Sequence, residues 1–277
     1  MPVSWIICAK NESANLKENL SLWLQQEYSQ WELILVLDRC TDDSKFWLKE
    51  TIKDAPYLRV IENQESHLKG KRNALLKGIE AAQYQHLVVS DADCLPSSTK
   101  WLALMAEKFD SDIQFVLGVS PYIKNNGILN LIIRQESFQT AFMYIAFAIL
   151  GRPYMGVGRN LGIRRDVIDK KFFYSESTLS GDDDLLVNAY ANNSNTRIFI
   201  HPKAQMHSKA KSTWKDFIQQ KKRHSQAGHY YKWKDRILLA YIYLLQLLFY
   251  LSGLTICLLF SNNIALIIIF ITALLIN

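Results

Sequence analysis

The chain has 277 residues, of which 49% are hydrophobic and 21% are charged, and its formal net charge is +6. This apolar content argues against intrinsic disorder, and 11 Gly with 6 Pro exclude a collagen-like or low-complexity chain. Four cysteines without paired spacing (Cys8, Cys40, Cys94 and Cys257) argue against a disulfide scaffold and favour a cytosolic environment.

The first ninety residues alternate between short apolar runs and helical segments. The predicted elements, in chain order, are a strand at 3–8, a helix at 13–26, a strand at 32–37, a helix at 43–53, a strand at 58–61, a helix at 70–83 and a strand at 86–90. This alternation is typical of βαβ units, in which helices cover a parallel sheet. Ligands of such sheets bind beyond the carboxyl ends of the strands, so the residues that follow the strands form the candidate site.

Polar and acidic residues follow three of these strands. They are Ala9-Lys10-Asn11-Glu12 after the first, Asp38-Arg39-Cys40-Thr41-Asp42-Asp43 after the second and Asp91-Ala92-Asp93-Cys94 after the fourth. Asp91 and Asp93 could hold a hard divalent cation, which would clamp a diphosphate and neutralise a departing phosphate. Two such acids taken alone more often belong to a solvated loop or a helix cap. Their position directly after an apolar strand favours the functional interpretation.

A basic turn precedes the helix predicted at 70–83. Gly70-Lys71-Arg72 would place two cations beside the free backbone amides of a helix start, an arrangement that suits a phosphate group. The other interpretation is a solvated basic turn, and the sequence alone leaves both open.

Three consecutive acids, Asp182, Asp183 and Asp184, open a helical run that reaches about residue 191. Acids favour a helix N-terminus through the macrodipole alone, and that effect accounts for one or two of the three. Three together also suit a general base whose pKa is raised by its like-charged neighbours.

Two later stretches carry further functional signals. Gln220, Arg223 and His224 share one helix face, on which they could bind a diphosphate and an acceptor, or face lipid as basic residues. The apolar stretch 128–150 predicts an interfacial helix or acceptor wall, with an ordinary core helix as the alternative.

Charge is distributed unevenly along the chain. Residues 203–236 contain ten Lys or Arg and two Asp, a formal charge of +8, which leaves −2 for the rest of the chain. Because this charge adjoins an uncharged tail and is not spread over a soluble face, it favours a membrane partner over a nucleic acid. Basic residues beside a span stay on the cytoplasmic side, so the large N-terminal part is predicted to be cytoplasmic.

The tail, residues 237–277, contains no Asp, Glu, Lys, Arg or His. Its first part, 237–260, is long enough to span a bilayer, and a buried core helix is the weaker interpretation. After a turn at 261–263, the shorter run 264–276 predicts a re-entrant segment or a second span cut off where the sequence ends. The N-terminus shows no cleavable signal.

Seven short motifs occur in a fixed order along residues 3–224. They are Ile7-Cys8-Ala9-Lys10-Asn11-Glu12, Leu37-Asp38-Arg39-Cys40-Thr41-Asp42-Asp43, Gly70-Lys71-Arg72-Asn73-Ala74-Leu75, Asp91-Ala92-Asp93, Gly158-Arg159-Asn160-Leu161-Gly162, Gly181-Asp182-Asp183 and Gln220-x-x-Arg223-His224. Any one of them is common. Together and in this order they resemble the family 2 glycosyltransferases, specifically the membrane-associated members with a GT-A fold.

The resemblance implies a GT-A fold, a mixed α/β sheet with flanking helices, and an inverting transfer of a sugar from a nucleotide diphosphate, usually UDP, to an acceptor hydroxyl. By position it implies that Ala9, Glu12 and Asp38 line the nucleoside pocket, and that Asp91 and Asp93 bind the nucleotide-sugar and its Mn²⁺ or Mg²⁺. It also implies that Arg223 binds the diphosphate and that Gln220 and His224 shape the acceptor channel. Asp183 is implied to be the general base. Lys71 joins the donor side through the basic turn.

The chain departs from the family pattern at three places. The family's acidic doublet is usually Glu-Asp, whereas here it is Asp182-Asp183 followed by Asp184, so the base could shift by one position. His224 replaces the usual Trp, which argues against processive polymer synthesis. Only Asp38 remains of the two acids usual after the second strand.

We therefore expect three parts: a nucleotide-sugar-binding catalytic domain at 1–202, basic interfacial helices at 203–236 and transmembrane segments at 237–277. The predicted protein is a glycosyltransferase of the cell (inner) membrane that acts on a lipid-linked or glycan acceptor. One alternative is a polyprenyl-phosphate sugar synthase, which would not need Gln220 and Arg223. The other is a membrane-anchored sugar-nucleotide-binding protein without turnover, such as a subunit of a synthase complex, which predicts an unchanged donor Kd and no dependence of activity on Asp183.

Overall fold

The computed structural model describes residues 1–51, 55–65, 68, 70–175 and 181–259. Its internal contacts divide the chain into two units, Met1–Tyr230 and Tyr231–Asn277. The three-part division at 202 and 236 stays a prediction.

The first unit contains a seven-stranded sheet with the order β3-β2-β1-β4-β7-β6-β8 and a separate ribbon of β5 and β9. The strands are β1 (Val3–Ala9), β2 (Trp31–Asp38), β3 (Leu58–Asn63), β4 (His86–Asp91), β5 (Cys94–Pro96), β6 (Phe115–Leu117), β7 (Leu161–Arg164), β8 (Thr196–Ile198) and β9 (Met206–Ser208). Strands β1 to β4 are parallel to one another, whereas β7 runs antiparallel to β4 and to β6.

Helices flank this sheet. They are α1 (Ser13–Trp23), α2 (Ser44–Thr51), α3 (Arg72–Ala81), α4 (Trp101–Ala106), α5 (Ile128–Ile149), α6 (Lys170–Ser175), α7 (Asp182–Tyr190) and α8 (Trp214–Ala227). Short 3₁₀ turns lie at Arg165–Val167, Pro202–Ala204 and Gly228–Tyr230. The mixed α/β sheet with flanking helices that the sequence predicts is confirmed.

The predicted elements of the first ninety residues are all present, with small shifts at their ends. The first helix ends at Trp23, not at residue 26, because the side chain of Gln26 binds backbone outside the helix. Its amide donates to the Ser98 carbonyl at 3.2 Å, and its oxygen accepts from the Leu102 N–H at 2.9 Å. These two bonds hold Gln26 against the start of α4 and the segment before it, outside the first helix.

Three tryptophans connect the core to the edge of the sheet where the strands end. The rings of Trp5 and Trp101 lie 4.7 Å apart, and those of Trp5 and Trp23 lie 6.1 Å apart. Buried indole N–H groups need acceptors. Trp23 donates to the Cys94 carbonyl at 2.9 Å and Trp101 to the Asn160 side chain at 3.1 Å, so core packing holds two loops of that edge.

The antiparallel β7 brings a second set of residues to the same edge. Because β7 is antiparallel to β4, its first residue, Leu161, pairs with Val89 near the carboxyl end of β4. The residues just before Leu161 therefore lie beside Asp91. Asn160 is fully buried and donates to the carbonyls of Val119 and Ala204 at 2.8 and 2.9 Å, which fixes this loop.

Helix α5 occupies most of the stretch predicted as an interfacial or core helix. It buries Ile133, Tyr144 and Phe147, yet it leaves a row of large apolar side chains exposed. The exposed residues of α5 include Ile128, Leu131, Phe138, Phe142 and Ile149. An ordinary core helix would not expose such a row.

The second unit contains one described helix, α9 (Trp233–Leu259), of 27 residues. By length and composition it could cross a membrane, which matches the span predicted from residue 237 onward. It begins four residues earlier than the apolar run, at Trp233. The predicted turn at 261–263 and the second apolar run at 264–276 lie outside the described residues.

Candidate active site

Asp91, the last residue of β4, is held by a basic residue of the turn before α3. The Lys71 ammonium lies 2.9 Å from Asp91 Oδ1, and the two side chains are 32% and 37% exposed. Burial acts to lower the pKa of Lys71, but Asp91 and Asp183 outweigh it and raise that pKa well above its usual value. Lys71 is therefore a fixed positive charge between two acidic groups of the site.

Asp93 has a different environment from Asp91. Burial and the charge of Asp91 raise the pKa of Asp93, and its carboxylate accepts from the Cys94 thiol at 3.2 Å. Within the described ranges it has no ion pair with a basic side chain. Arg159 and Lys211 lie near enough to oppose this rise in pKa, but neither forms an ion pair with Asp93, and a partly buried carboxylate of this kind is stabilised further by a bound cation.

This pair of carboxylates fits a divalent cation. Two carboxylate oxygens are the hard ligands that Mg²⁺ and Mn²⁺ take, and such ions are commonly held by one or two carboxylates together with substrate phosphates. In the part of the chain that the structure describes, no cluster of three or more His, Cys, Asp or Glu side chains could hold a metal alone. A cation bound to Asp91 and Asp93 would accordingly take its remaining ligands from the substrate and from water.

Asp38, at the end of β2, is almost fully buried and bound by two neighbours. Arg39 donates to both of its oxygens at 2.9 and 2.8 Å, and the Asn63 amide donates to Oδ1 at 2.7 Å. Arg39 has a φ of +50°, a conformation that L residues adopt only where surrounding contacts hold them. Its guanidinium also donates to the Gly70 carbonyl at 3.1 Å, which ties the loop after β2 to the turn before α3.

The last residue of β1 and a residue of the loop after it lie at the same edge of the sheet. Ala9 is fully buried at the end of the strand, and Glu12 is half-buried just before α1. Burial raises the pKa of Glu12 and Asp93 adds to this, while a 2.6 Å hydrogen bond from Asn15 opposes it. Glu12 and Asp93 therefore lie close enough to influence each other's ionisation.

Arg72 contradicts both interpretations of the basic turn. It is not solvated, and it is not available to a phosphate, because it forms a buried ion pair with Asp182 of α7. The Arg72 Nε lies 2.5 Å from Asp182 Oδ1, and both side chains are only 1% exposed. The pair links residues 110 positions apart in the chain and fixes the start of α7 against the start of α3.

Asp183, next to Asp182, is half-buried at the first turn of α7 and accepts a hydrogen bond from the Gly158 N–H. A Cβ at position 158 would overlap the Asp183 carboxylate, so only glycine allows this approach. Gly181, which precedes the helix, has a φ of +90°, and a Cβ there would overlap Ala227 of α8. Two glycines thus set the position of Asp183 between the loop before β7 and helix α8.

Helix α8 borders the site through its predicted motif. The Gln220 amide donates to the Tyr122 hydroxyl at 3.4 Å, and Lys221 forms an ion pair with Glu136 of α5. Desolvation and the charge of Lys221 lower the pKa of His224, whereas Asp183 acts to raise it. His224 therefore lies near Asp183, and Arg223 is exposed on the same helix.

Arg159 is a residue of this site that the sequence did not single out for a role. Its guanidinium stacks on the Tyr122 ring at 4.4 Å, and Asp91 and Asp93 are among the groups that raise its pKa against the effect of burial. Its only signal in the sequence was its place within the Gly158–Gly162 motif.

An open cavity of about 540 Å³ lies elsewhere, between Met1, His86, Asp110 and Arg164. His86 and Arg164 are the first residue of β4 and the last residue of antiparallel β7, so this cavity is at the opposite edge of the sheet. The converging side chains described above identify the carboxyl edge as the candidate site.

The sequence of the chain is similar to those of known glycosyltransferases. Residues 4–172 match the family described as Glycosyl transferase family 2. The protein named "Probable glycosyltransferase YdaM" of Bacillus subtilis (strain 168) is 25% identical over 240 residues, which cover 82% of this chain and 55% of that protein. The "Poly-beta-1,6-N-acetyl-D-glucosamine synthase" of Staphylococcus epidermidis is 30% identical over 91 residues, which cover 33% of this chain and 21% of that protein. The chain spans about half, or less, of the length of these relatives.

Two solved structures share the fold. One is the mannosyltransferase PcManGT from Pyrobaculum calidifontis in complex with GDP-Man and Mn²⁺, with a TM-score of 0.64, 19% identity and coverage of 82% of this chain and 63% of that chain. The other is S. aureus TarS 1–349 in complex with UDP-GlcNAc, with a TM-score of 0.52, 16% identity and coverage of 77% and 60%. At such identities the likeness concerns the fold alone, and it confirms the predicted GT-A fold.

Proposed function

The chain belongs to glycosyl transferase family 2, and from that membership we propose that it transfers a sugar from a nucleotide-diphosphate sugar to an acceptor hydroxyl with inversion. The observation that carries the proposal is the meeting of two acidic pairs, Asp91 with Asp93 and Asp182 with Asp183, near Lys71. A single displacement at an anomeric carbon needs an electrophilic environment for the leaving diphosphate and a base for the acceptor. The two pairs supply candidates for both.

The donor side is formed by the ends of the parallel strands. Asp91 and Asp93 would hold Mg²⁺ or Mn²⁺, which when bound neutralises negative charge on the departing diphosphate. Ala9, Glu12 and Asp38 are proposed to line the nucleoside pocket. PcManGT, which shares the fold, was solved with GDP-Man and Mn²⁺, and TarS was solved with UDP-GlcNAc. We propose a UDP-sugar as the donor class here.

The acceptor side is formed by α7 and α8. Asp183 is proposed as the general base because it is half-buried and oriented by the Gly158 N–H, whereas Asp182 is committed to Arg72. Asp182 then acts by positioning its neighbour. Gln220 and His224 of α8 border the same space and are proposed to contact the acceptor, with Arg223 at the diphosphate.

The proposed acceptor is lipid-linked or a glycan, reached at the cytoplasmic face of the cell membrane. Three features support this location: the charge of +8 in residues 203–236, the apolar helix α9 that follows it, and the exposed apolar row on α5. Basic residues beside a span favour the cytoplasmic side, and exposed apolar rows favour a lipid interface.

Release of free nucleoside diphosphate tests the proposal directly. The detergent-solubilised chain is incubated with Mn²⁺, a panel of UDP- and GDP-sugars and a membrane extract, and release is compared for wild type, Asp93→Ala and Asp183→Asn. We expect release with one donor for wild type and strong losses for both variants. Wild type that releases nothing with any donor would overturn the proposal.

Two controls separate the alternatives. Pure polyprenyl phosphate as the sole acceptor identifies a polyprenyl-phosphate sugar synthase, since a glycan-directed enzyme would be inactive with it. A chain that binds the donor but whose assay is unaffected by Asp183→Asn would instead be a non-catalytic binding subunit.

A further inference from the structure

Arg159 differs from the other arginines around the site. Arg39 and Arg72 each bind a carboxylate, at 2.8 and 2.5 Å. Over the described ranges, Arg159 forms no ion pair and donates no hydrogen bond, and its Nη1 is shielded from solvent without a partner. A guanidinium has five N–H donors, and shielding even one of its nitrogens from water without a hydrogen-bond partner is costly. Such an arrangement is explained when the natural partner is a ligand.

The guanidinium is held in place by stacking, which leaves its donors available. Its central carbon lies 4.4 Å from the Tyr122 ring centre, and Tyr122 in turn accepts a hydrogen bond from Gln220. Asp91 and Asp93 are near enough to raise the pKa of Arg159, yet neither approaches to ion-pair distance. The backbone is equally fixed, because the adjacent Asn160 is fully buried with its amide bound to two carbonyls.

The charge balance of the site points to an anionic ligand at this place. Asp91 and Asp93 alone would repel a diphosphate, and Lys71 offsets only one of these charges. A divalent cation and a guanidinium beside the two acids would turn the local field positive. A planar guanidinium also binds two phosphate oxygens at once, which a lysine cannot do.

We propose that Arg159 binds the diphosphate of the nucleotide-sugar donor, stacked on Tyr122 and positioned by Asn160. This inference rests on the proposed function and adds a binding residue to it. The Arg159 guanidinium is already oriented by the Tyr122 ring before the donor binds, whereas the Arg223 side chain is exposed on α8.

Calorimetric titration of the solubilised full chain with UDP and with uridine, in the presence of Mn²⁺, tests the assignment; GDP and guanosine form the second pair of probes. We expect Arg159→Gln to weaken nucleoside diphosphate binding about 10- to 100-fold, as for a lost charge-assisted hydrogen bond, and to leave nucleoside binding unchanged. Arg159→Lys keeps the charge without the paired donors, so it should show a smaller loss.

Arg164→Gln is the matched control. Arg164 is the last residue of β7, the strand that Arg159 precedes, and it donates to Asp166 at 2.8 Å at the opposite edge of the sheet, so its variant should bind both probes as wild type does. Thermal unfolding is measured as well, because a purely structural role of Arg159 would lower the Tm of the variant. Because Arg159→Gln loses no ion pair or side-chain hydrogen bond among the described residues, only the contact with the Tyr122 ring, its Tm should stay close to that of wild type.

The outcomes are distinct. Unchanged diphosphate affinity in Arg159→Gln overturns the inference, and a raised acceptor KM in that variant would assign Arg159 to the acceptor instead. A lowered Tm with equal losses for diphosphate and nucleoside would make Arg159 structural. If Arg159→Gln does not fold, the test uses Arg159→Lys and compares its loss of affinity for the nucleoside diphosphate with its loss of affinity for the nucleoside. Wild type that binds no nucleoside diphosphate refutes the proposed function itself.

Discussion

Two acidic pairs of the site share an arrangement but differ in their surroundings. In each, one acid is held by a cation, and the two cations are consecutive residues: Lys71 holds Asp91 and Arg72 holds Asp182. The Lys71 pair is about one third exposed, whereas the Arg72 pair is 1% exposed on both sides. Two consecutive residues therefore form ion pairs that differ greatly in the free energy needed to break them.

The difference assigns each pair a task. An ammonium whose side chain is about one third exposed can leave its carboxylate when a metal and a diphosphate arrive, because water replaces the lost contacts. A buried guanidinium cannot leave without stranding a charge. The first pair therefore suits binding that changes during turnover, and the second suits a fixed support. In each acidic pair, the other acid has no ion pair within the described residues. Asp93 lies beside the partly exposed Lys71–Asp91 pair, and Asp183 lies beside the buried Arg72–Asp182 pair.

The comparison is tested most strongly by Asp183→Asn. If Asp183 is the base and Asp182 only its support, the amide variant should lower the transfer rate by about 10²- to 10⁴-fold, since it cannot take a proton. Donor affinity should stay as in wild type. Nucleoside diphosphate release and calorimetry measure the two quantities. Asp184→Asn serves as the control, and a larger loss there would mean that the base is one position later.

Asp182→Asn should act through stability. The substitution removes the carboxylate charge that pairs with the buried Arg72 guanidinium, which costs about 3–5 kcal/mol and lowers Tm by on the order of 10 °C. Thermal unfolding of the solubilised chain measures this, again beside Asp184→Asn. If Asp182→Asn kept the wild-type Tm while transfer was lost, Asp182 would belong to the chemistry and the division of tasks would be wrong.

How far the sequence predicts this arrangement depends on distance along the chain. Strands β1 to β4 and their helices follow from local patterns of apolar residues, and the acids after the strands follow from that topology. The Arg72–Asp182 pair could not be predicted, because nothing in the sequence signals a contact across 110 positions. The same holds for the antiparallel β7, a strand of only four residues whose composition carries no information about its direction.

The site shows the same limit at single residues. Asp91, Asp93 and Asp183 could be proposed from residue type and neighbouring motif. Arg159 could not, because what distinguishes it is that its guanidinium stacks on Tyr122 yet forms no ion pair or hydrogen bond with the described residues, and such contacts exist only in the folded chain. Helix α9 illustrates the limit for boundaries: hydropathy indicated residue 237, whereas the helix already includes the charged residues from Lys234 to Arg236.

Asp93→Ala should weaken Mn²⁺ binding in the presence of donor by about 10- to 100-fold, because a hard cation loses one of its two carboxylates. Nucleoside binding without metal should not change. Manganese titration with and without a chelator measures this effect. Asp43→Ala is the control, since Asp43 follows β2 but is exposed and paired with Lys17. Equal losses in both variants would place the metal outside the Asp91–Asp93 pair.

The smallest expected effect is that of Lys71→Gln on stability. A pair that is one third exposed contributes at most about 1 kcal/mol, so Tm should fall by roughly 3 °C or less. Thermal unfolding, the assay used for Asp182→Asn, also measures the Tm change of Lys71→Gln. The two variants each remove one partner of an ion pair, and the basic partners of these pairs are the consecutive residues Lys71 and Arg72. Should Lys71→Gln destabilise the chain as much as Asp182→Asn, Asp91 would be as permanently held as Asp182. A metal could then not take Asp91 from Lys71, and the donor side would depend on Asp93 and Arg159 alone.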